Sequence, residues 1–153
     1  MPEKTLVTNR RARREYFIEE TYEAGVVLTG SEIKSVRAGR ANLQDSYVTI
    51  RDGEAWMVNC HISPYKHGSG DSQEPKRDRK LLLHRLQINR LAGKVQAKGY
   101  TIIPLRLYLK DNRAKVEIAL ARGKKLYDKR ADLAKRQAQR DIERALRRRS
   151  SEE

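Results

Sequence analysis

The chain has 153 residues, with 34 Lys and Arg against 20 Asp and Glu and a net charge of +14. That length fits one domain with an appendage, and so large a positive charge points to a polyanionic partner, nucleic acid before an anionic membrane surface. No apolar run approaches the roughly 18–20 residues of a bilayer span, and the opening MPEKTLVTNRRARREY has no export-type apolar region. Cys60 is the single cysteine and makes no internal disulfide; these features predict a cytoplasmic protein.

In chain order, residues 1–13 read as a mobile basic N-terminal arm, 14–121 as the body and 122–153 as a basic tail. Alternation runs from Tyr16 through Ile18, and AGVVL (Ala24–Leu28) reads as a buried strand. In TGSEIKSVRAG, Ser31 is placed to cap a short helix, with Ile33 and Val36 inward and Gly39 to end it. SYVTIRDGEAWMVN has the pattern of a hairpin turning at Asp52-Gly53. Ser63–Lys80 reads as a polar loop, and KLLL is too short for its period to decide between strand and helix start. Ile88, Leu91, Ala92 and Val95 recur at helical spacing, and Gly99 follows as a stop. A second hairpin comes from LRLYLKDNRAKVEIAL: Leu105, Leu107 and Leu109 alternate on one strand, Val116, Ile118 and Leu120 on the next, and Lys115 and Glu117 take the opposite face.

Five to seven short strands, with one short and one longer helix set among the hairpins, predict a mainly β fold with flanking helices (α+β). The architecture expected is an OB-like antiparallel β-barrel.

Enzyme chemistry is poorly supported. Three histidines and one cysteine show no zinc spacing, and adjacent Cys60 and His61 point to opposite faces of a strand. Cys60 reads as a small buried apolar residue. GSGDS lacks the Lys and the following helix of a phosphate loop, and there is no G-x-S-x-G elbow. A metal-dependent nuclease would need carboxylates such as Glu32, Asp45 and Asp52, but no spacing singles these out from surface charges and caps. No cofactor, no metal and no catalytic residue is expected.

RNA-binding chemistry is better supported. Seven tyrosines, one tryptophan and a basic surface suit a fold that grips structured RNA through its backbone, while an RRM-type aromatic strand is absent. Net charge divides as +8 for the part preceding Arg122 and +6 from Arg122 onward, so both parts suit a polyanion. In the tail, Ala131, Ala134, Ala138, Ile142, Ala145 and Leu146 form a narrow stripe at helical spacing. Its burial would contribute only a few kcal/mol at about 25 cal/mol per Å², and isolated helices of this length are marginal. The tail is therefore expected to be disordered when free and helical where a polyanion neutralises its arginines.

NRRARREYFIEETYEAGVVLTGSEIKSVRAGRANLQDSY, RKLLLH and GKKLYDKR, in that order, resemble the small protein B family, the SsrA-binding proteins of bacteria. The resemblance runs from Asn9 to Arg130, and the far tail matches only in basic, helix-forming character. It implies a body that binds the tRNA-like domain of transfer-messenger RNA (tmRNA) and delivers it, with elongation factor Tu, to stalled ribosomes for trans-translation. It also implies a tail that enters the vacant mRNA channel of the 16S rRNA near the decoding centre. DNA and membrane are not among the implied partners. By motif, Asn9 and Arg11 in NRRAR, Glu23 in YEAG, and Leu82 with His84 in KLLLH resemble positions tied to tmRNA. Lys124, Lys125, Tyr127, Asp128, Lys129 and Arg130 in GKKLYDKR, with Leu146 beyond them, resemble ribosome-facing tail positions. A ribosomal or initiation-factor-like OB protein is the alternative on the residues alone.

Overall fold

The computed structural model describes residues 3–64, 74–96, 99–124 and 136–147. Its elements are β1 (Glu3–Thr8), α1 (Ala12–Glu15), β2 (Tyr16–Val26), α2 (Gly30–Arg37), β3 (Ala41–Asn42), β4 (Tyr47–Arg51), β5 (Glu54–Val58), β6 (His61–Ile62), β7 (Arg79–Leu82), α3 (Arg85–Val95), β8 (Tyr100–Lys110) and β9 (Arg113–Gly123). Two hairpins are encoded by their turns. Asp52 and Gly53 lie at φ 52° and 72°, and Asp111 and Asn112 at φ 53° and 61°. This left-handed pair matches the twist of the flanking strands.

The strands run β8-β4-β5-β7-β2-β9, and β9 pairs back onto β8, so the antiparallel circuit closes on itself as the OB-like expectation requires. A short β3–β6 ribbon stands apart. Ala24, Met57, Leu81, Leu91, Ile102, Leu107, Val116, Ile118 and Leu120 fill the interior, and α3 contributes Leu91.

Residues 1–13 are corrected from mobile arm to part of the body over their described length. β1 pairs with β8 from Glu3↔Lys110 to Thr8↔Arg106, and Ala12 is buried against Ile103, Leu105, Ala119 and Ala121 on the outer side of β8–β9. That outer cluster also breaks the expected single-faced alternation of Leu105, Leu107 and Leu109. The register shifts between Pro104 and Arg106, which turns Leu105 outward with Ile103 and returns Leu107 to the interior, while Leu109 is half-buried. Proline has no N–H for the ladder, so a bulge costs little there.

The cap of α2 also differs from expectation. Thr29, not Ser31, is the N-cap: its Oγ1 accepts from the Glu32 N–H (3.2 Å), and its own N–H donates to Glu32 Oε1 (2.9 Å), a reciprocal capping box. Val36 is buried and Ile33 half-buried, and Gly39 ends the turn at φ 73°. Glu32 is also one end of a buried charge cluster. Fully buried Arg79 donates to Glu32 Oε2 (2.7 Å) and to the carbonyls of Cys60 (2.7 Å), Arg77 (3.0 Å) and Pro75 (3.1 Å). Arg77 reaches Glu32 Oε1. Burial pushes the Glu32 carboxyl up, but the Thr29 N–H and the two guanidinium groups outweigh it and hold it below the usual range. KLLL resolves as strand, because Arg79–Leu82 pairs with both β5 and β2.

Residues 136–147 form a helix, and every one of them is exposed. The stretch is made of strong helix formers, with Gln137 donating to Asp141 one turn on (3.2 Å), and with no buried face its helix has only marginal intrinsic stability.

Candidate nucleic-acid interface

β2 carries three carboxylates, each held by a phenol and a cation. Glu19 accepts from Tyr100 Oη (2.9 Å) and pairs with Arg122 (3.2 Å). Glu20 accepts from Tyr22 Oη and from Arg90, both at 2.5 Å. Glu23 accepts from Tyr108 Oη (2.6 Å) and pairs with Lys110 (3.4 Å). Charge-assisted contacts of this kind favour the ionised form. The Arg90 guanidinium first, then the Tyr22 hydroxyl, hold the Glu20 carboxyl at about 2. The Tyr108 hydroxyl first, against a smaller opposing effect of burial, holds Glu23 below the usual carboxylate range, with Lys110 adding to it.

Glu23 opens onto a cleft of roughly 380 Å³ whose other wall is Leu82, Leu83 and His84. The two walls come from different elements. β2 supplies Glu23 and Gly25, while the end of β7 and the start of α3 supply Leu82 and His84. They meet because Gly25 lies opposite Leu82 in the ladder. A Cβ at Gly25 would stand 3.2 Å from Leu82 Cβ, so glycine allows this close approach. Leu82 is 55% exposed and gives the cleft an apolar surface. His84 is the N-cap of α3, its backbone N–H donating to Gln87 Oε1 (3.1 Å). Lys80 and Lys115 stand on the rim. Such a cleft offers a fixed acceptor, an imidazole face, apolar contact and flanking cations. That set suits recognition of RNA edges and sugars.

The remaining sequence-derived residues lie elsewhere. Asn9 is buried, its Nδ2 donating to the carbonyls of Leu43 (3.3 Å) and Pro104 (3.0 Å). It fastens the β1–α1 corner to the barrel and is turned away from the surface. Arg11 is exposed, and its carbonyl accepts from the N–H groups of Arg14 and Glu15. Lys124 leaves β9 with Nζ donating to the Arg13 carbonyl (2.8 Å) and lying 5.2 Å from the Phe17 ring centre, so the tail starts beside α1. Lys125, Tyr127, Asp128, Lys129 and Arg130 lie outside the described residues. Leu146 is exposed on the tail helix. Tyr108 and Lys110 were not singled out by sequence reasoning; the one signal was a tyrosine at an outward position among basic residues in LRLYLK.

Cys60 is fully buried, and burial pushes its thiol up to about 11, the behaviour of an apolar filler. Among the described residues no three His, Cys, Asp or Glu side chains gather as a metal site, and no helix is long and apolar enough to cross a membrane.

The family model described as SmpB protein matches residues 6–148. The chain belongs to the SmpB family. It is 63% identical over 149 residues to the SsrA-binding protein of Roseiflexus sp. (strain RS-1), covering 97% of this chain and 94% of that one. It is 62% identical over 146 residues to the SsrA-binding protein of Desulforudis audaxviator (strain MP104C), covering 95% of each. Its structure superposes with a TM-score of 0.65 on a chain of the solved structure "tmRNA-SmpB: a journey to the center of the bacterial ribosome". The two are 49% identical, over 76% of this chain and 82% of that one. SmpB membership agrees with the resemblance carried by the NRRARR, RKLLLH and GKKLYDKR motifs.

Proposed function

We propose that this SmpB-family protein is a non-enzymatic adaptor that binds the tRNA-like domain of tmRNA and carries it, with elongation factor Tu, to stalled ribosomes in the cytoplasm. The observation that carries this reading is the convergence of Glu23, Leu82 and His84, far apart in sequence, on one cleft edged by Lys80 and Lys115. Cations bring the RNA backbone in, and the fixed carboxylate with its apolar neighbours selects the shape that fits. The exposed basic helix over 136–147 and the chain leading to it supply the ribosome-facing part, directed to rRNA phosphates of the empty mRNA channel.

The body and tail should separate by function. Truncation after Gly123 leaves affinity for tmRNA within a few-fold, a loss under about 1 kcal/mol, and abolishes tagging on ribosomes stalled on messages without stop codons. Glu23→Ala gives the opposite pattern, weak tmRNA binding with the tail intact. A truncated protein that loses tmRNA binding outright, or still supports tagging, contradicts this division.

A further inference from the structure

The ring of Tyr108 is an unusual burial. It is 2% exposed, yet it belongs to neither hydrophobic cluster of the barrel. It lies on the outer face of the sheet, opposite Lys115 in the β8–β9 ladder, with Lys115 in turn opposite Gly25 of β2. The guanidinium of Arg106 covers it at 4.0 Å from the ring centre. Arg106 is itself held by Thr5 (3.0 Å), Glu3 (3.1 Å) and Glu117 (3.7 Å). A ring clamped from above by a guanidinium that is itself clamped has one orientation, and its hydroxyl reaches across β9 to Glu23 Oε2 at 2.6 Å.

The two oxygens of Glu23 are then unequal. Oε2 takes the Tyr108 hydroxyl and lies 3.4 Å from Lys110 Nζ. Among the described residues Oε1 has only the long contact to Lys110, at 3.5 Å, which leaves it acceptor capacity. We propose that Tyr108 is a positioning residue: with Lys110 it locks the Glu23 carboxylate so that Oε1 stands ready to accept from an N–H or O–H donor of the bound RNA. This rests on the reading of the Glu23–Leu82–His84 cleft as the RNA site.

Two physical problems are met by this arrangement. A carboxylate facing a polyanion repels it, and Lys110, with Lys115 beside it, balances that charge. A glutamate on an exposed strand also loses rotamer freedom when it binds, and Tyr108 fixes that rotamer beforehand, as second-layer support does in binding sites. The other charged or titratable groups facing Glu23 are Glu117, opposite it on β9, and His84, Lys80 and Glu54, which line the same cleft. Asp111 and Arg113 share an adjoining cleft with it. Among these, Tyr108 has the largest effect on the Glu23 carboxyl and lowers it.

The test is a double-mutant cycle on the full chain, read as affinity for a transcript of the tmRNA tRNA-like domain at several pH values. Tyr108→Phe keeps the ring and removes the hydroxyl, and is expected to weaken binding about tenfold. In a Glu23→Ala background the same change is expected to have an effect no larger than about twofold. The loss of affinity on the acid side should begin at higher pH in Tyr108→Phe, because the carboxyl then moves back toward its ordinary range, a shift that a packing defect would not produce. Glu23→Asp, which keeps the charge but withdraws it by one methylene from the Tyr108 hydroxyl, should lose a similar factor and guards against misfolding at the buried ring. Wild-type affinity in Tyr108→Phe or Glu23→Asp, or an equal loss from Tyr108→Phe with and without Glu23, overturns the positioning role. Wild-type affinity in Glu23→Ala overturns the reading of the cleft itself, and the positioning role falls with it.

Discussion

Replacing Arg79 by Met removes a guanidinium that has no exposed surface and fills most of its volume with apolar atoms. Its loss leaves the Glu32 carboxylate, 8% exposed, with Arg77 and the Thr29 N–H alone. The carbonyls of Cys60, Arg77 and Pro75 also lose the donors they receive from Arg79. Breaking one side of a buried pair costs about 3–5 kcal/mol, because the surviving charge stays buried. Arg79→Met should therefore reduce unfolding free energy by that amount in urea titrations followed by circular dichroism. Adding Glu32→Gln removes the stranded charge, and the double variant should be more stable than Arg79→Met alone. The acid limb checks the sign. Glu32 titrates below its ordinary value in the fold, so its contribution is complete above the unfolded carboxyl pKa and fades as pH falls through the folded one. With Arg79 gone the folded value rises, and the stability lost on acidification should shrink. A cost below about 1 kcal/mol for Arg79→Met, or simple additivity in the double variant, would refute the argument.

Binding of tmRNA should weaken with salt, with a log–log slope of roughly 0.7–0.9 per neutralised phosphate; a flat titration would remove electrostatics from the account. Amides of the exposed helix over 136–147 should exchange with little protection in the isolated chain, since a helix with no buried face has only its marginal intrinsic stability. Strong protection there would reveal a docking site on the body. Cys60, buried and with its thiol pushed up to about 11, should react with a thiol reagent at pH 8 only as fast as the barrel opens, and addition of urea should accelerate the reaction sharply.

Local chemistry was legible in the sequence, and long-range pairing was not. The hairpin at Asp52-Gly53 and the helix carrying Ile88 and Leu91 follow from turn residues and periodicity. The Thr29–Glu32 box was present in TGSE, three residues apart, but Ser31 competed for the same role. β1 escaped because its strand is half-exposed and its partner lies about a hundred positions away, at Lys110. Arg79 read as one more surface cation of a polar loop, since nothing local marks a charge whose counter-ion is on α2. Of the site, the motifs pointed to Glu23, Leu82 and His84, and the fold brings them together. Asn9 lies apart from them, its Nδ2 donating to two carbonyls inside the β1–α1 corner. The partners of Glu23 were hidden because they sit two strands away.

The closed circuit of strands has unequal seams. β4 meets β8 through a single residue pair, Val48 and Ile102. β2 meets β7 through two, Gly25 with Leu82 and Val26 with Leu81, plus one bond from the Val27 N–H to the Lys80 carbonyl. The barrel is thus two half-shells, β1–β8–β9–β2 and β4–β5–β7, stitched lightly along both edges. The cleft straddles the second seam, with Glu23 on one shell and Leu82 and His84 on the other. Its walls approach at the Gly25–Leu82 pair, and behind that pair Met57 and Leu81 of one shell share a single interior cluster with Ile118 and Leu120 of the other. On the proposed reading of the cleft, a substitution in that shared interior, such as Met57→Ala, is expected to act on RNA binding by moving one shell against the other while leaving every residue of the cleft in place.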